Sequence, residues 1–139
     1  MNDTSSQTLL LVADDLLIAS RVREGAKPAG YAVAVVASDV AVNAALASAA
    51  PVAVLVALTV RRLDPYALIR ALKAAHPALP VLAFAGHVER EKHAAAREAG
   101  ADLVTANSSI ALHLPALLTR LLGGERGDVT HEEDTPGRN

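Results

Sequence analysis

The chain contains no cysteine. Disulfides, thiolate zinc sites and cysteine nucleophiles are therefore excluded. Tryptophan is absent too, and the only aromatic rings are Tyr31, Tyr66 and Phe84. That is too few for a platform that stacks on bases or sugars. No single sign of charge dominates: 13 basic against 15 acidic residues leave a formal −2. A nucleic-acid binder that relies on a basic face would read differently. No stretch approaches the roughly 20 apolar residues of a membrane helix. The start, Met1 to Thr8, is polar and lacks the basic region of a signal peptide. The expectation is a cytoplasmic protein with neither membrane nor nucleic acid as partner.

What the chain has is aliphatic. Of its 139 residues, 52 % are hydrophobic, mostly Ala, Val and Leu, which excludes a disordered chain. The length suits one domain with a sizeable core. Five short apolar runs stand out: Leu9–Val12, Val33–Val36, Val52–Leu58, Val81–Ala85 and Leu103–Thr105. Each is nearly continuous rather than alternating, as in parallel strands covered on both faces.

Helical patterns separate the runs. Leu17, Ile18, Val22 and Ala26 follow Asp15, a candidate cap, while Gly25 and Pro28 weaken the end of that helix. Asp39 precedes Val42, Leu46 and Ala49. Asp64-Pro65 is a strong helix start, because the carboxylate accepts free N–H groups and proline at the first position loses no bond. Glu89 to Ala99 is charged and Ala-rich, ends at Gly100, and has only alanines and Val88 to bury. Leu114, Leu117, Leu118, Leu121 and Leu122 form the last helix, which either starts near Leu114 or kinks at Pro115. Five β-α repeats imply a three-layer α/β/α sandwich on a five-stranded parallel sheet. From Gly123 to Asn139 five acids face two bases, a net −3 that leaves +1 on the rest of the chain. Without an apolar period, 123–139 reads as a disordered acidic tail. The division is an N-terminal segment 1–7, a domain 8–122 and that tail, with no further module after Leu122.

Pro80-Val-Leu-Ala-Phe-Ala-Gly-His87, the helix 89–98 and Ala99-Gly-Ala-Asp102 together resemble the second half of a bacterial response-regulator receiver domain. Glu-Ala-Gly-Ala-Asp at 98–102 is the most specific piece. Leu9–Asp15 resembles the receiver's first strand and acidic turn, and Ala50-Pro51 with Val52–Leu58 its third strand. The likeness covers about residues 8–122. It implies a flavodoxin-like fold with strand order 2-1-3-4-5 and a role in two-component signalling or a phosphorelay.

A working receiver phosphorylates an aspartate at the end of its third strand. Acidic residues after the first strand help hold magnesium, and a Ser or Thr and a Lys contact the phosphate. The positions the resemblance assigns are degenerate here. Ala57 stands at the acceptor position, Ala85 at the Ser/Thr position and Asn107 at the lysine position. The acidic turn is partly kept, as Ala13 and Asp14 or as Asp14 and Asp15, and magnesium would lose its third carboxylate. Arg61 and Arg62 after the third strand could neutralise Asp14 or Asp15, or simply be solvated. The histidines at 76, 87, 93, 113 and 131 have no metal-ligand spacing. Ser108 and Ser109 lack a nucleophile elbow, and no glycine-rich phosphate loop follows the first strand.

The reading is a pseudo-receiver, not an enzyme and without a cofactor or metal. It would act without phosphorylation, as a signalling or adaptor protein through contacts with a protein partner such as a histidine kinase or another receiver. The resemblance points to the face of the fourth helix, fifth strand and fifth helix as an interface or homodimer surface, through Arg90, His93, Arg97, Leu112, Ala116 and Arg120. A solvated helix on a monomer is the plain alternative. The runner-up function is a flavodoxin-like sensor of a small ligand in the vacated crevice, lined by Asp14, Ala57, Thr59, Ala85, Gly86 and Asn107. A receiver phosphorylated on an unusual acceptor such as Thr59 ranks behind both.

Overall fold

The five aliphatic runs become parallel strands because helices cover both faces of the sheet they form. The computed structural model describes residues 7–129. Its strands are β1 (Gln7–Val12), β2 (Tyr31–Val36), β3 (Ala53–Ala57), β4 (Val81–Ala85), β5 (Leu103–Ala106) and β6 (Gly127–Val129). Helices α1 (Leu16–Ala26), α2 (Asp39–Ala49), α3 (Pro65–Ala75), α4 (Arg90–Ala99) and α5 (Asn107–Leu122) alternate with the first five. The strand order is 2-1-3-4-5-6, with every neighbouring pair parallel. The sandwich and the order 2-1-3-4-5 are as expected, but the sheet has six strands rather than five.

The extra strand comes from the segment expected to be a disordered tail. Gly127 N–H donates to Asp102 O at 2.8 Å, and Thr105 Oγ1 donates to Val129 O at 3.0 Å. Val129 is buried in the core beneath α5. One apolar residue between glycine and charge makes no period, so composition missed it. Residues 1–6 and 130–139, which include most of the expected tail, lie outside the described residues.

Alternation along the strands divides the core in two. Leu9, Leu11, Leu55, Leu82, Phe84 and Leu103 face α1 and α5, where Val22, Ile110, Leu114, Leu117 and Leu121 meet them. Leu10, Val12, Val54, Val56, Val81 and Val104 face the other layer, against Val42, Leu68, Ile69, Leu72, Ala96 and Ala99. Small side chains let the layers close up: a methyl group on Gly25 of α1 would stand 3.2 Å from Leu114 Cβ. Gly25 is therefore needed for close helix contact, at some cost to the helix end.

Caps set most helix starts. Asp15 Oδ1 accepts from Leu17 N and Ile18 N, and Asp64 Oδ1 from Tyr66 N and Ala67 N. Ser38, not Asp39, caps α2 through Oγ and Ala41 N, leaving Asp39 in the first turn. Gly100, at φ +113, ends α4. Val88 is 75 % exposed, so α4 buries only Ala96 and Ala99. The last helix begins at Asn107 and breaks at His113, whose φ and ψ are −132 and 26. Pro115 cannot donate to the preceding turn and its ring crowds the carbonyl there, so the helix kinks rather than starting late.

At the opposite end of the sheet from the strand C-termini, one carboxylate joins several elements. Asp102 Oδ2 accepts from Val81 N at 2.8 Å and from Lys73 Nζ at 2.8 Å. The same Nζ donates to Pro77 O and Leu79 O, at 3.1 and 3.0 Å. Asp102 N–H in turn donates to Val81 O at 2.8 Å. Side chains of Lys73 and Asp102 are only 18 % and 14 % exposed, so water replaces these bonds poorly. Asp102→Ala is expected to destabilise the fold by about 2–4 kcal/mol, since it strands a buried ammonium and an N–H. Lys73→Met in that background should cost less than it does alone, and urea unfolding of the four proteins measures this coupling.

Candidate functional site

The carboxyl ends of β1, β3, β4 and β5 form one rim, and the degenerate positions meet there. Ala57 ends β3, Ala85 ends β4, and Asn107 follows directly on β5. Ala57 pairs with Phe84, and Ala85 with Ala106. Ala57 is 2 % exposed and Ala85 is fully buried, so these methyl groups are packed core. Neither can act as nucleophile or donor. Asn107 is exposed at the start of α5.

The acidic turn is committed to backbone. Asp15 is the cap of α1. Asp14 Oδ2 accepts from the backbone N–H of Arg61 at 2.8 Å. Of the two alternatives for the arginines, the structure shows solvated side chains: Arg61 binds Asp14 through its amide, while Arg61 and Arg62 have exposed side chains without an ion pair among the described residues. The reason lies in the loop after β3. Leu58, Val60 and Leu63 are buried in the α2–α4 side of the core, and Val60 N–H donates to Ala57 O at 3.1 Å. Turning these apolar side chains inward presents the Arg61 amide to β1 and sends both guanidinium groups to solvent.

A divalent cation does not fit this donor set. Ala57 supplies no oxygen side chain, Asp15 is engaged by two N–H groups, and one oxygen of Asp14 is taken. No group of three or more His, Asp or Glu side chains converges among the described residues. At the β4 end, Glu89 folds back over Gly86: a methyl there would meet Glu89 Oε2 at 2.9 Å. Glu89 also pairs with Lys92 at 3.3 Å. Beside this pair burial pushes the Tyr66 phenol up, with Lys92 opposing. Glu89 was missed from sequence, where it looked like an ordinary helix-start residue.

The crevice expected from the vacated positions lies elsewhere. A cleft of about 320 Å³ opens between the starts of α1 and α5, lined by Asp15, Leu17, Ile18, Arg21, Phe84 and Asn107 among others. Only Asn107 is shared with the expected lining. Leu17 lines it and is 61 % exposed, and the preceding Leu16 is 86 % exposed.

The expected interface on α4, β5 and α5 is partly occupied by the chain itself. Arg97 pairs with Asp128, and Arg120 pairs with Glu125, its Nε donating to Oε2 at 2.8 Å. The Arg120 hydrogen bond holds the Glu125 carboxyl below the usual carboxylate range. This contact is complete above the ordinary glutamate pKa and fades as pH falls through the lowered one. Arg90, Leu112 and Ala116 remain exposed, and His93 is half-buried. The sequence placed these arginines correctly but not their carboxylate partners, which lie in the segment that lacked a pattern.

No family profile and no curated protein matches the chain. Solved structures do. The receiver domain of NtrX from Brucella abortus is 27 % identical over 83 % of this chain and 98 % of its own, with a TM-score of 0.75. The receiver domain of TorR, response regulator of the TMAO respiratory system, is 19 % identical over 83 % and 98 %, with a TM-score of 0.71. The non-phosphorylated receiver domain of RcsB from Escherichia coli is 14 % identical over 90 % and 99 %, with a TM-score of 0.75. No helix among the described residues is long and apolar enough to cross a membrane.

The role of Asp14 has a direct check in denaturant unfolding. Asp14→Ala should cost about 1 kcal/mol, the net worth of one charge-assisted bond at an exposed site. Arg61→Ala should change stability by less than about 0.5 kcal/mol, because the amide survives the substitution. Equal losses from the two would return the interaction to the guanidinium.

Proposed function

We propose that the chain, which shares the fold of response-regulator receiver domains, is a pseudo-receiver that signals by protein contact without taking up phosphate. The observation that carries this reading is the buried methyl of Ala57 where a receiver has its acceptor carboxylate. Asp14 and Asp15 bind backbone N–H groups instead of a cation, and Ala85 and Asn107 stand where phosphate contacts would come from. With no acceptor, the domain is not an enzyme and needs no metal cofactor. It serves as an adaptor in the cytoplasm, in a two-component or phosphorelay setting.

The partner is a protein, such as a histidine kinase or another receiver, or a second copy of the chain. Leu17 at the α1–α5 cleft and the preceding Leu16 offer exposed apolar area of the kind that anchors such contacts. A small-ligand sensor is the second reading, favoured by the largely apolar wall of that cleft. A thermal-shift screen against nucleotides and metabolites separates the two.

Incubation with acetyl phosphate and magnesium is expected to leave the intact mass unchanged. A stoichiometric phosphoryl adduct would overturn the proposal, whether a hydroxylamine-labile acyl phosphate or a hydroxylamine-stable ester on the exposed Thr59. Affinity purification from the native cell should recover a signalling protein equally well with and without phosphodonor.

A further inference from the structure

We propose that the cleft between α4 and the β5–β6 edge binds an oxyanion, a carboxylate or phosphate group, through Arg90, His93 and His87. The cleft has a volume of about 360 Å³ and is lined by these three residues with Arg97, Val104, Ala106, Asp128 and Val129. Arg90, His93 and Arg97 are three and four residues apart on α4, so they share one side of the helix. Val104, Ala106 and β6 form the opposite wall.

Three observations point to an anion. The lining has one acidic side chain, Asp128, and Arg97 already neutralises it. Among the described residues, Arg90 and His87 have no hydrogen-bond or ion-pair partner and are exposed at the mouth. Deeper in, His93 Nε2 is shielded from solvent without any partner. A buried imidazole nitrogen left unpaired is costly, and an acceptor oxygen would satisfy it. A guanidinium and an imidazole N–H together suit an oxyanion better than a neutral ligand. The Arg97–Asp128 pair shows the same wall holding a carboxylate.

The oxyanion has two possible sources of one chemistry. One is free in solution. The other is the chain itself, since Glu132, Glu133 and Asp134 follow Val129, a lining residue, within five positions. This cleft and Ala57 lie on opposite sides of β4 in the sheet.

Histidine ring resonances of the full chain, followed by NMR while inorganic phosphate replaces chloride at constant ionic strength, test the proposal. The expected result is a saturable shift of the His93 ring that Arg90→Gln weakens by about tenfold or more. Arg90 is exposed, so this variant should fold; His93→Gln is the second, and should abolish the response at His87 as well. A response seen only after Glu132→Gln, Glu133→Gln and Asp134→Asn are combined also supports the site, and names the chain's own carboxylates as its resident. No response at His93 in either background, or one that Arg90→Gln leaves unchanged, overturns it.

Discussion

The carboxylate of Asp102 is the point on which the arrangement of the sheet turns. Parallel strands have no hairpins to fix their register, so something outside the ladder must align their ends. Here one side chain takes the Val81 N–H and the Lys73 ammonium, while the backbone of the same residue bonds to both Val81 and Gly127. The start of β4, the start of β5, the end of α3 and the start of β6 are thereby held together. Because strands are stiff, alignment at this end sets which residues face each other at the other end. The facing of Ala85 and Ala106 on the rim follows from it.

Much of the scaffold was legible in the chain. Aliphatic runs bounded by turn residues gave the first five strands within a residue or two, since covering both faces demands continuous apolar side chains. Asp15, Asp64-Pro65 and Gly100 marked helix ends because their side chains, or the lack of one, act locally. What escaped depends on distant partners. Val129 gains its place only from β5 and the core beneath α5. The Arg61 amide reaches Asp14 because Leu58, Val60 and Leu63 turn inward, which no local pattern around two arginines reveals. Pro115 announced a disturbance, and only the burial of Ser109 and Ile110 in the turns before it separates a break from a late start.

The rim and the α4–β5–α5 face differ in character. At the rim, Ala57 and Ala85 are packed methyl groups, and the carboxylates of Asp14 and Asp15 hold loops in place. On the other face charge is retained but part of it is spent within the chain, Arg97 on Asp128 and Arg120 on Glu125. Exposed pairs of this kind are weak individually. They orient β6 more than they stabilise the fold, and a partner with stronger carboxylate contacts could compete for the same arginines.

β6 also changes what the sheet presents to other chains. Without it the outer boundary would be β5, a short, mostly apolar strand with a row of open N–H and C=O groups. Such a boundary invites another extended chain to add on. The strand that takes its place is three residues long, begins with a glycine at φ +119 and carries an aspartate at its centre. It is too short and too charged to template further pairing. A segment poor in hydrophobic residues thus works as a selvedge, closing the fabric of the sheet on the side where it would otherwise unravel into its neighbours.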